Sequence, residues 1–162
     1  MVSFTITEKG YSLRNMSGEL LPAARADMEN GPAAPKHAMA VVASLAYDRF
    51  RAGELPVAFV SMDNCSHNGE KLSRSVLEIA RAWEKNGFVP AAFVEYLQNP
   101  EKVSFPWSMI DKITPRPSEF VQKALEKDGL SGMAPVVTAK KTFIAPFVNA
   151  EVPQYLVVED RF

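Results

Sequence analysis

Apolar and polar positions divide the chain into segments of distinct period. The first run, Val2-Ser3-Phe4-Thr5-Ile6-Thr7, alternates as a strand does, and Glu8-Lys9-Gly10-Tyr11 follows as a turn. Residues 12–36 carry Pro22, Pro32, Pro35, Gly18 and Gly31 with little periodicity, which predicts a long loop. Residues 37–51 place Ala38, Val41, Val42, Leu45, Ala46 and Arg49 at helical spacing, with Gly53 as the stop. Pro56 introduces Val57-Ala58-Phe59-Val60, an apolar run without alternation. Such a run suits a strand buried on both faces, as in a parallel sheet.

That strand ends in Ser61-Met62-Asp63-Asn64-Cys65-Ser66-His67-Asn68-Gly69. A helix with Leu72, Val76, Ile79, Ala80 and Trp83 inward follows, and Gly87 closes it. A shorter helix holds Phe93, Val94 and Leu97. Residues 103–115 contain Pro106 and Pro115 and cannot form one long element. Ser118 can cap a further helix with Val121, Ala124 and Leu125 inward, closed by Gly129. From Val136 to Val158, runs of β-branched and aromatic residues are broken at Pro135, Pro146 and Pro153, which predicts short strands. Helix, buried strand and helix in succession point to an α/β fold with a mostly parallel sheet.

Composition narrows the function more than the fold. The chain has 162 residues, and a net charge of −1 gives no global attraction to nucleic acid or acidic membranes. No apolar run approaches the roughly 20 residues of a membrane span. No signal peptide is visible, and cytoplasm is the default expectation. Cys65 is the single cysteine, so no internal disulfide forms. With one Cys and two His, a metal site is not expected. A nucleophilic pair of Cys65 and His67 needs an orienting third group that the pattern does not supply. Strand-like runs at both ends read as cuts through a longer protein.

In open α/β sheets ligands bind beyond the carboxyl ends of the strands. Two such ends carry polar groups, Thr7-Glu8-Lys9 and Asp63-Asn64. The Asn64 amide can hold a carbonyl oxygen as charge builds there, or it can serve only to make the turn. Ser66 or Asn68 can cap the helix that follows. Asp111, flanked by apolar residues, is either paired structurally or part of a site. The eight glycines include no G-x-G-x-x-G phosphate loop.

Four ordered blocks carry a family resemblance: Thr7-Glu8-Lys9-Gly10-Tyr11; residues 61–69; Phe105-Pro106-Trp107-Ser108-Met109-Ile110-Asp111-Lys112-Ile113-Thr114-Pro115; and Val158-Glu159-Asp160-Arg161-Phe162. They resemble the long-chain mannitol dehydrogenase family, which includes fructuronate and tagaturonate reductases. There the blocks read approximately T-E-K-G-Y, S-C-D-N-x-x-x-N-G, F-P-x-(S/T)-M-V-D-R-I-T-P and E-D-x-F. The resemblance implies the C-terminal half of a Rossmann-like nucleotide-binding domain, a single partial domain over residues 1–162. It implies an NAD-dependent oxidoreductase, with NADP not excluded and no metal, acting on a sugar alcohol or aldonate and its ketose or keto-uronate.

By the same resemblance Asn64 contacts the reacting oxygen. Asp111 and Asn68 bind substrate, and Glu8, Thr7 and Asp63 lie on the cofactor side. The family's Gly-rich loop precedes such a segment, and its catalytic lysine lies on a helix of a following domain. The partners implied are therefore a sugar and those missing segments, with self-association through an exposed sheet edge when they are absent. Met62, Ile110 and Lys112 depart from the usual Cys, Val and Arg. Lys112 matches that Arg and is not a catalytic base. The alternative reading is a non-catalytic ligand-binding or structural fragment of the same fold.

Overall fold

The structure is a computed structural model and describes residues 1–110, 114–150 and 156–160. The chain divides into two compact units, Met1–Ile110 with Leu156–Phe162, and Asp111–Tyr155.

The first unit is built on a parallel sheet of β1 (Val2–Phe4), β2 (Val57–Ser61) and β3 (Val103–Ser104), with β2 in the centre. Val2 sits opposite Phe59, and Val57 opposite Val103. Every residue of β2 is buried, as its unbroken apolar run predicts for a strand covered on both faces. β1 is shorter than the alternating pattern. After Phe4, whose carbonyl accepts from Met62 N–H at 2.7 Å, the chain leaves the sheet and makes a 3-10 turn at Glu8–Tyr11.

Residues 12–36 are not one loop. They contain α1 (Pro22–Asn30), concealed in the sequence because its two flanking signals resemble breakers. Pro22 occupies the first turn, where its missing N–H costs nothing. Gly31 ends the helix at φ 78°, and a β-carbon there would lie 2.7 Å from the Phe88 ring. The buried Asp27 carboxylate accepts from Lys36 N–H and His37 N–H, and Trp83 Nε1–H donates to Asp27 O at 2.7 Å. These bonds replace the wide apolar face that α1 lacks.

α2 (Ala38–Arg51), α3 (Asn68–Lys85) and α4 (Ala91–Gln98) form where periodicity places them. In α3 the whole predicted stripe is buried, Leu72, Val76, Ile79, Ala80 and Trp83, as are Phe93, Val94 and Leu97 in α4. In α2 the inward face is rotated. Met39, Ala40, Val42, Ala43 and Ala46 are buried, while Ala38, Val41, Leu45 and Arg49 are exposed. The rotation turns Tyr47 and Phe50 onto α4, where the Tyr47 and Phe93 rings meet edge-on at 5.0 Å and Phe50 lies 5.6 Å from Tyr96.

β4 (Ser108–Met109) pairs antiparallel with β7 (Val157–Val158) in the same unit. The second unit holds α5 (Glu119–Lys127) and a hairpin of β5 (Val136–Val137) and β6 (Phe143–Ile144). The sequence places Val121, Ala124 and Leu125 inward, but no residue of α5 is buried. A nine-residue helix and a hairpin of two-residue strands offer no sheet face to cover it. Ser118 stands at the N-cap without a side-chain cap bond, and its N–H donates to Asn149 Oδ1 at 3.0 Å. Among the described residues no helix is long and apolar enough to cross a membrane.

Candidate functional site

The carboxyl ends of β1 and β2 lie side by side because the two strands are parallel and in register. This brings Thr7 and Glu8 to the corner formed by Asp63 and Asn64. A cleft of about 360 Å³ is lined by Ile6, Thr7, Glu8, Asp63, Asn64 and Lys71, among others. A second cavity of about 410 Å³ is lined by Asn64 together with His67, Asn68, Trp107, Ser108 and Glu159, among others. Asn64 lines both.

Asn64 Oδ1 accepts from Ile110 N–H at 2.9 Å. Only the oxygen of an amide can meet a backbone N–H, so this bond fixes which way the amide points. The two donors on Nδ2 then sit at the opposite end of the group. Ile110 is the residue before Asp111, which itself lies outside the described residues.

Asn68 is fully buried. Its Oδ1 accepts from Gly69 N–H and Ser108 N–H, at 2.9 and 3.0 Å. Its Nδ2 is surrounded by Asp63 O at 3.2 Å, Asp63 Oδ1 at 3.3 Å, Ser108 O at 3.1 Å and Ser108 Oγ at 3.0 Å. A buried amide so engaged joins the end of β2 to β4. Ser108 Oγ also donates to Ser61 O.

Asp63 is equally committed. Its carboxylate accepts from the Tyr11 hydroxyl, from Cys65 N–H at 2.8 Å and from Asn68 Nδ2. Burial first, and the Asp63 carboxylate second, raise the Tyr11 phenol above its ordinary range. Ser75 Oγ donates to Tyr11 O at 2.7 Å, which ties the 3-10 turn to α3. Thr7 and Glu8 are exposed at the rim. Lys71 Nζ lies 3.0 Å from Cys65 Sγ and 3.9 Å from Glu8 Oε1, and the contact with Cys65 is the main cause of its raised pKa.

The cap of α3 corrects the sequence reading. Neither Ser66 nor Asn68 caps the helix. His67 holds the N-cap position in the left-handed region at φ 55°, ψ 40°, without a side-chain cap bond. Asn68 is drawn into the buried network instead. Gly69 lets this happen, since a β-carbon there would stand 2.1 Å from Phe105 O and 2.7 Å from Pro106 O. The chain before β4 crosses the first turn of α3 at that spacing, which sets Trp107 and Ser108 beside His67 and Asn68.

Tyr11, Ser108 and Trp107 were not singled out from the sequence, and His67 was weighed only as a partner of Cys65. All four stand within the quoted blocks, so the blocks were the available signal. A further cleft of about 450 Å³ is lined by Tyr11, Arg14, Lys71, Arg74 and Glu78. Its arginines are paired, Arg14 with Glu78 and Arg74 with Glu70, so it offers little unbalanced charge. Among the described residues no group of three or more His, Cys, Asp or Glu could hold a metal.

A parallel sheet covered by helices, with amide and carboxylate side chains gathered at the strand carboxyl ends, defines a Rossmann-type α/β domain. The chain belongs to the mannitol dehydrogenase family, whose Rossmann-domain model matches residues 2–153. It is 54% identical over its full length to the D-mannonate oxidoreductase of Thermotoga maritima and spans 30% of that enzyme. Among solved structures it is similar to a mannitol 2-dehydrogenase of Pseudomonas fluorescens in ternary complex with NAD and D-mannitol, at 27% identity and a TM-score of 0.58. That likeness covers 98% of this chain and 29% of the other. A substrate-free D-sorbitol dehydrogenase is alike at 27% identity and a TM-score of 0.59, over 98% of this chain and 29% of its own.

Proposed function

We propose that this chain is part of an NAD-dependent dehydrogenase that interconverts a sugar alcohol or aldonate with its ketose or keto-uronate. The observation that carries the reading is the Asn64 amide, held by Ile110 N–H just beyond the carboxyl end of β2 and lining two neighbouring cavities. A donor held in place costs no reorganisation when negative charge grows on a substrate oxygen. Asn64 Nδ2 supplies that donor. Asp111 contacts substrate, as the family blocks imply.

The remaining polar residues divide into two roles. Asn68 and Asp63 position: their bonds to Ser108, Cys65 and Tyr11 hold the corner that presents Asn64. Thr7 and Glu8, exposed at the rim of the smaller cleft, meet the nicotinamide–ribose end of the dinucleotide through a hydroxyl and a carboxylate. The residues fit that end of the cofactor only, since none of the eight glycines makes a phosphate loop. When bound, NAD supplies the hydride acceptor. The proton acceptor for alcohol oxidation is the lysine that the family resemblance places outside these residues, and the chain by itself does not turn over. The enzyme works in the cytoplasm with a sugar as its partner, and this segment alone associates with itself through an exposed sheet edge.

The test uses the full-length protein that carries this segment. NADH oxidation is followed with fructuronate, tagaturonate and fructose. One of these is reduced, and Asn64→Ala lowers kcat about 100-fold or more, the usual cost of losing an oxyanion donor. No turnover of any of the three, or an Asn64→Ala enzyme with unchanged kcat, defeats the proposal.

A further inference from the structure

One wall of the cavity beside Asn64 is aromatic, and no step of the proposed chemistry explains it. The His67 imidazole lies on the Trp107 indole with ring centroids 4.3 Å apart and planes 23° from parallel. The indole is 40% exposed, unlike Trp83, which is fully buried. Both stacked rings line the cavity that Asn64 and Ser108 also line.

The backbone under each ring is held in place. His67 sits at φ 55°, a region that costs a residue with a β-carbon about 1 kcal/mol or more. Its side chain does not cap α3, although it stands at the cap. On the other side, Trp107 N–H donates to Glu159 Oε2 at 3.2 Å, and Trp107 O accepts from Glu159 N–H at 2.8 Å. A strained residue and a large open aromatic, both fixed from behind, form a flat aromatic plate next to an amide. Sugar sites are built this way in general: hydroxyls and carbonyls meet amides, and the C–H faces of the carbon chain lie on aromatic rings. Both positions also fall where the family blocks leave the residue unspecified, in D-N-x-x-x-N-G and in F-P-x-(S/T)-M.

We infer that the His67–Trp107 stack is the specificity-determining wall of the sugar site, lying against the C–H face of the substrate carbon chain while Asn64 holds the reacting oxygen. This rests on the dehydrogenase reading above. A stack that only braced the turn would alter stability without discriminating between sugars.

The experiment compares full-length wild type, Trp107→Ala, Trp107→Phe and His67→Asn with a keto-uronate and a ketose as substrates, varying the sugar at saturating NADH and NADH at saturating sugar. Asparagine tolerates the left-handed backbone, so His67→Asn removes the ring and keeps the turn. Trp107→Ala raises KM for the sugar about three- to tenfold, the worth of one ring contact. It also shifts the kcat/KM ratio between the two substrates and leaves KM for NADH unchanged. Trp107→Phe recovers most of the loss, and His67→Asn falls between. Sugar binding also changes tryptophan fluorescence, and the change is smaller in Trp107→Phe than in wild type, since Trp83, the other tryptophan of this segment, is buried. If Trp107→Ala fails to fold, Trp107→Phe and His67→Asn decide by the fluorescence change and the substrate ratio. Folded variants with the wild-type KM and substrate ratio overturn the wall and leave the dehydrogenase reading standing. A wild type that reduces neither sugar overturns both.

Discussion

Tyr11 shows how one hydroxyl serves the site without touching a ligand. It is 3% exposed, and its proton is donated to Asp63 across 52 residues of sequence. Removing it leaves the carboxylate one donor short at the corner that carries Asn64. Tyr11→Phe therefore costs about 1–3 kcal/mol, the usual loss for a hydrogen bond to a charged group. Urea unfolding reads this directly, and a stability unchanged within about 0.3 kcal/mol sinks the assignment. The raised phenol pKa also sets a pH limit. Below about pH 10 the folded and unfolded chains both keep the proton and the contribution is whole. Above it the unfolded chain releases the proton first, so stability falls as the pH climbs toward the folded-state value. Wild type then loses more stability between pH 9 and pH 11 than Tyr11→Phe does. Equal losses contradict the sign.

At the scale of elements, the start of α3 is decided by a crossing. The helix begins at Asn68 because His67 turns left-handed and Asn68 bonds to Ser61, Asp63 and Ser108. Gly69 then lets the Phe105–Pro106 backbone pass over the first turn. The obstructing atom is a carbonyl oxygen of the main chain, which cannot swing away as a side chain could. Gly69→Ala is predicted to cost about 1–3 kcal/mol or more by overpacking. It also parts Trp107 from His67, so the thermal midpoint falls and the indole emission moves red together. A lower midpoint with unchanged emission means that the crossing does not set the stack. α1 follows the same logic, since Asp27 and Gly31 anchor a helix whose apolar face is too narrow to anchor itself.

For the whole molecule, the sheet has two open sides among the described residues, since β1 and β3 each pair only with β2. Apolar groups are also open in the second unit, with Phe120 82% and Val148 78% exposed. An unpaired strand edge is a template for another chain. The 162-residue chain prepared alone is expected to associate as its concentration rises, measured by light scattering after size exclusion. A monomer at every concentration counts against the open edge.

Some of this was legible in the one-dimensional pattern. The buried strand Val57–Ser61, the stripe of α3 and the apolar face of α4 follow from local periodicity, because each element's own residues decide which side is inward. Polar residues at the end of β2 could be placed for the same reason, and the ordered blocks gave them a family context. What local period could not decide was anything set by a distant partner. The rotated face of α2 depends on rings in α4. The burial of Asn68 depends on Ser108, 40 residues on. α5 is amphipathic in sequence, yet none of its residues is buried, because its own unit offers only a hairpin of two-residue strands to pack on. The sequence by itself determined an α/β core with a polar corner at its strand ends. The tertiary structure decided which polar residue is buried to hold that corner, which is turned outward, and which rings wall the cavity, because each of those contacts joins residues far apart in the chain.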